Sequence, residues 1–105
     1  MKVGIRMKNI KFEQAIKENL ATLDQYVPIV ARVHGNEHPE FHEVHKLYKE
    51  LAKRVKDEAT NRPDLDQVFS KLRELTDNYT IPEGVCESYQ AVYNMLKVLD
   101  RAYKG

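Results

Sequence analysis

Four stripes of apolar residues, each advancing by steps of three or four, restrict this chain to a helical fold. The first stripe is Phe12, Ile16, Leu20, Leu23, Val27 and Val30, and its next step lands on His34. The second is Phe41, Val44, Tyr48, Leu51 and Val55, and its next step lands on Glu58. Leu65, Val68, Leu72, Leu75 and Tyr79 make a third, and Val85, Tyr89, Val92, Leu96, Leu99 and Tyr103 a fourth. That period turns one face of each helix inward and leaves the charged residues, 31% of the chain, on the outer faces.

Local signals set the helix limits near residues 9–33, 39–59, 63–78 and 81–103. Asn9 is a side-chain cap for the first helix, and Gly35 closes it. Pro39 suits the first turn of the second, and Asn61-Arg62-Pro63-Asp64 is turn chemistry ahead of the third. Thr80-Ile81-Pro82-Glu83 has the form of a capping box opening the fourth. Pro28 lies within the first helix, where it lacks a donor for the carbonyl of Asp24 and predicts a kink. Residues 1–8 show no helical period and are read as a flexible tail, leaving 9–105 as one domain. Four amphipathic helices joined by short connections predict an all-α, antiparallel up-down-up-down four-helix bundle.

With 105 residues there is material for a single core. The net charge of +1 supplies no field to favour nucleic acid or an anionic membrane as partner. One cysteine, Cys86, excludes an internal disulfide and suits a reducing compartment. No apolar run approaches the roughly 18 residues of a membrane span, and no secretory leader opens the chain, so a soluble cytoplasmic protein is expected.

No nucleophile motif, phosphate-cradling glycine loop or paired-cysteine metal motif is present, which leaves most enzyme classes without positive support. The candidates for chemistry are histidines and carboxylates. All four histidines fall between Val30 and His45, at the corner joining the first two helices. Metal sites in bundles are built from inward side chains, which singles out His34 and Glu58 at the ends of their stripes. A corner at Gly35 would set these two near opposite ends of the bundle. His38, His42 and His45 are spaced four and three apart and, at about 100° per residue, lie on the flank of the second helix or in solvent. There they offer adventitious surface binding of zinc, nickel or copper. Cys86 follows the inward Val85 and is read as a small packed side chain, and the tyrosines on the stripes are read as core.

Two segments carry a family resemblance. Val30-Ala31-Arg32-Val33-His34-Gly35-Asn36-Glu37-His38-Pro39-Glu40 resembles the stretch after the first bundle helix in hemerythrin-like di-iron proteins of iron–sulfur cluster repair. Residues 78–93, with Pro82-Glu83, Cys86 and Tyr89-Gln90-Ala91-Val92-Tyr93, resemble the entry to their last helix. The resemblance implies non-haem iron as cofactor, held by histidines and bridging glutamates, and a role in cluster repair under nitrosative and oxidative stress. Carried over residue by residue, it makes His34 an iron ligand, Glu13 the counterpart of a first-helix histidine, and Glu58 a second-helix glutamate. The histidine that accompanies that glutamate is replaced by Arg54, and a third-helix histidine falls near Arg62. The family's final histidine-and-glutamate cluster has no counterpart before Gly105.

Three readings follow: a divergent binding or regulatory module with a residual or absent iron site, whose partners are iron–sulfur proteins; a metal-free interaction or homo-oligomerisation scaffold; and a di-iron repair protein completed by ligands from another chain. Convergence of Glu13, His34 and Glu58 is what separates a binding site from a scaffold.

Overall fold

A computed structural model describes residues 10–57 and 64–104. Among the described residues there are four helices: α1 (Ile10–His34), α2 (Glu40–Lys56), α3 (Asp66–Thr76) and α4 (Glu87–Lys104). There is no strand among the described residues. The expected cap at Asn9, the tail over residues 1–8, Glu58 and the turn at Asn61-Arg62-Pro63 lie outside them.

The chain buries the stripes as the period requires. Leu23, Val27, Leu51, Leu72, Tyr89, Val92, Leu96 and Leu99 are buried in one core. Leu20, Val55 and Leu75 pack against its edge. Two fully buried aromatics, Phe69 and Tyr93, sit one residue to the side of the simple stripes and widen the inward faces of α3 and α4. α1 packs on α4 and α2, and α2 packs on α3. The start of α1 meets the end of α4 through Phe12 and Tyr103, whose rings are 5.3 Å apart. The end of α1 meets the start of α4 through His34 and Tyr89, 5.4 Å apart. α1 continues through Pro28 to His34 as one helix. Across from that proline, the Tyr48 hydroxyl donates to the Asp24 carboxylate at 2.6 Å and to the Leu20 carbonyl at 3.2 Å.

The largest departure from the sequence reading is the start of α4, six residues later than the capping-box pattern predicts. Asp77, Asn78 and Tyr79 all take positive φ, of 53°, 59° and 63°, which ends α3 and turns the chain left-handed. The Thr80 hydroxyl then donates back to the Asp77 carbonyl, so the side chain expected to cap a helix is engaged in the turn. A left-handed tyrosine is strained and persists only if its surroundings fix it. Tyr79 is fixed at both ends. Its amide donates to the Thr76 hydroxyl at 2.8 Å, and its own hydroxyl donates to Asp100 at 2.7 Å. Asp100 is buried and also accepts from the Arg73 guanidinium at 3.0 Å, joining α3 to α4.

The buried phenols make the fold sensitive to alkali. Burial first, and then a neighbouring acceptor, pushes the hydroxyls of Tyr48 (beside Asp24), Tyr79 (beside Asp100) and Tyr93 (beside Tyr89) far above the ordinary phenol range. A raised folded-state value contributes stability that is complete below the unfolded value, about 10 for tyrosine, and is lost as pH rises towards the folded one. Above pH of about 10, tyrosinate absorbance should therefore appear together with loss of helical circular dichroism in one cooperative step. Smooth ionisation of all six tyrosines with the helices intact would contradict this burial.

Candidate functional site

The chemistry-bearing side chains meet at the corner between α1 and α2, against the start of α4. His34 is the last residue of α1, and its carbonyl accepts the amides of Glu37 at 3.1 Å and His38 at 2.8 Å, which turns the chain. Gly35 is buried in that turn. A Cβ there would collide with the His42 imidazole and the Ala31 carbonyl, so close approach is what requires glycine. α2 then begins at Glu40, after Pro39.

His38 therefore precedes the helix instead of riding on it. Its ring turns inward, edge-on to Tyr89 at 5.4 Å, and its Nδ1 lies 3.2 Å from the Glu40 carboxylate. This corrects the expectation that His38 belongs to a surface row with His42 and His45. The 100° rotation per residue holds only within a helix, and His38 lies before the first turn. His42 is exposed, and His45 is half-buried further along α2.

Cys86 is the second correction. The expected helix from residue 81 would pack it beside Val85, whereas α4 starts at Glu87 and leaves the thiol exposed at the helix entry. The Cys86 carbonyl accepts the first helical hydrogen bond, from the Gln90 amide at 3.1 Å. The thiol faces His34, with Sγ 3.1 Å from Nε2. The pair is fifty-two residues apart in sequence and is formed entirely by the way α1 and α4 pack.

Tyr89 is the floor of this site. It is fully buried, touches both imidazoles, and lies 5.0 Å from the rings of Phe41 and Tyr93. Its hydroxyl is 3.2 Å from that of Tyr93. Burial raises both phenols, and the negative charge of Glu40 raises them further, so the floor stays protonated and neutral.

Of the residues the resemblance assigns to iron, the structure separates two. Glu13 is exposed in the first turn of α1, and His34 is the last residue of the same helix. Twenty-one residues at 1.5 Å rise hold them about 32 Å apart. Glu58 lies outside the described residues. Among the described residues, no group of three or more histidine, cysteine, aspartate or glutamate side chains is placed to hold a metal ion. The ligand types that do converge are one thiol and one imidazole, with a second imidazole and a carboxylate behind. Among the described residues, that donor set does not fit a di-iron centre.

Comparison with known proteins gives distant relatives. The chain is 22% identical over 122 aligned positions to the iron-sulfur cluster repair protein ScdA of Staphylococcus haemolyticus, covering 87% of this chain and 55% of that one. It is 23% identical over 121 positions to ScdA of two strains of Staphylococcus epidermidis, covering 86% of this chain and 54% of theirs. The aligned span exceeds the 105 residues of this chain, so the relatives carry residues within the matched region that are missing here. No protein-family model matches the chain, and no solved structure matches it. No helix among the described residues is long and apolar enough to cross a membrane. The chain, with four helices among its described residues, spans about half the length of the curated iron–sulfur cluster repair proteins it is similar to.

Proposed function

We propose that this chain is a divergent module of iron–sulfur cluster repair, built on an antiparallel, hemerythrin-like bundle, that binds iron transiently at the Cys86–His34 corner instead of keeping a di-iron centre. The 3.1 Å approach of the only thiol to a histidine, drawn from the two segments that resemble the repair family, carries this reading. The antiparallel arrangement is supported by the contacts of α1 with opposite ends of α4. The distant similarity to ScdA over most of the chain supports the repair context.

Thiolate and imidazole are ligands that suit iron, zinc and copper. Two ligands hold an ion weakly and leave coordination positions open. A partner protein completes them, which suits an ion moving to or from a damaged cluster. Iron here is cargo. The buried Tyr89 ring, backed by Phe41, packs edge-on to His34 on one side of the pair, while the exposed thiol keeps the other accessible. The stress-response role follows from the same repair context, and the partners are iron–sulfur proteins.

The test is recovery of a [4Fe–4S] enzyme damaged by nitric oxide, with ferrous iron, sulfide and reductant supplied. The protein should speed recovery, and Cys86→Ser and His34→Gln should each abolish the effect while leaving the helical circular dichroism unchanged. Stimulation that is equal in both variants would favour the scaffold reading.

A further inference from the structure

An open groove of about 540 Å³ lies between α1 and α2, away from the corner, walled by Asp24 and Pro28 on one side and by His45, Lys49, Lys53 and Lys56 on the other. Tyr48 and Ala52 complete its lining, and the lysines all lie on the α2 side. We propose that this groove docks a carboxylate-rich helix of a partner protein.

Three lysines form a row that His45 heads. His45, Lys49, Lys53 and Lys56 follow one another at spacings of four, four and three, on one face of α2. Eleven residues at 1.5 Å rise give a row about 16 Å long, matched by glutamates at the same spacing on a second helix. One acid on the chain already faces the row: Asp24 lies 3.1 Å from Lys56. Burial pushes the Asp24 carboxyl up, but the Tyr48 hydroxyl and Lys56 outweigh it and hold the group below the ordinary carboxylate range, so Asp24 is charged and Lys56 is balanced. Among the described residues, Lys49 and Lys53 have no such partner.

Their charge is felt nearby. Burial lowers the proton affinity of His45, and Lys49 and His42 lower it further. A helix C-terminus attracts cations within its last turn, which accounts for Lys53 and Lys56 at the end of α2 but not for Lys49 or His45. Glu50 and Arg54, on the neighbouring face, pair with each other at 2.9 Å, so Glu50 is engaged away from Lys49 and Lys53. A protein partner is favoured over nucleic acid because the whole chain carries a net charge of only +1, too little to hold a polyanion, while one local row matches one acidic helix.

The experiment is titration of the full chain with a synthetic helical peptide bearing glutamates at spacings of four, four and three. Fluorescence anisotropy reads binding, and NMR reads the His45 ring. Binding should weaken as salt is raised, and the His45 ring should titrate at higher pH in the complex as carboxylates replace cations beside it. Lys49→Glu/Lys53→Glu should bind about tenfold more weakly, the scale of two lost exposed ion pairs. Lys11→Glu/Lys71→Glu has the same net charge and should bind like the parent. Circular dichroism of each variant separates lost binding from lost fold. Equal weakening in both double variants, no peptide binding, or tighter binding of a single-stranded oligonucleotide or of anionic phosphatidylserine vesicles than of the peptide would overturn the proposal. The outcome is independent of the Cys86–His34 corner.

Discussion

Asp100→Ala should cost about 3 kcal/mol of stability, at the lower end of the range for breaking a buried ion pair. Asp100 is only 4% exposed, and its two oxygens receive Arg73 at 3.0 and 3.3 Å and the Tyr79 hydroxyl at 2.7 Å. Truncation leaves a buried phenol without its acceptor and a guanidinium without its counter-charge. Arg73 keeps about a quarter of its side chain in solvent and rehydrates in part, which places the loss at the lower end. The left-handed Tyr79 also loses the contact that holds it. For a domain whose whole stability is of order 5–15 kcal/mol, that is a large fraction.

Urea denaturation at neutral pH measures the loss, read from the midpoint with the slope unchanged. Tyr79→Phe should cost only about 1 kcal/mol, since the carboxylate keeps Arg73. Arg73→Met combined with Asp100→Leu should recover most of the loss, because removing both charges leaves none buried alone. A loss below about 1 kcal/mol for Asp100→Ala would mean that the turn after α3 is not anchored through this residue.

The helices were legible where apolar spacing alone positions them. The stripes through Leu23 and Val27, Leu51, Leu72, and Leu96 and Leu99 are buried because a three-four period has one solution in a helix. The segments between helices were not legible. Thr80-Ile81-Pro82-Glu83 has a capping-box pattern, yet the preceding left-handed residues engage the Thr80 hydroxyl in a turn, and such a turn depends on Asp100, twenty residues further on. The site suffered most from this, because its residues sit at helix boundaries. His38 lies two residues before α2 and Cys86 one before α4, so extrapolating a helical face through either position pointed it the wrong way. The one available signal was proximity of both to segments that resemble the same family. Nothing in the spacing could pair Cys86 with His34, since their contact is tertiary.

His34 matches a family iron ligand by resemblance alone, and the chain is proposed not to assemble two irons. Di-iron bundles draw ligands from all four helices, whereas α3 and α4 contain no histidine and Glu13 stands about 32 Å along α1 from His34. Exposed His42 and half-buried His45 are proposed to add only adventitious binding of zinc, nickel or copper. The direct measurement is anaerobic reconstitution of untagged protein with ferrous iron, followed by desalting and metal analysis of the parent and of His34→Ala and Cys86→Ser. Less than one iron should be retained per chain, with the weakly held fraction reduced in both variants. Two irons per chain retained through desalting, and lost on His34→Ala, would contradict it and establish a di-iron centre.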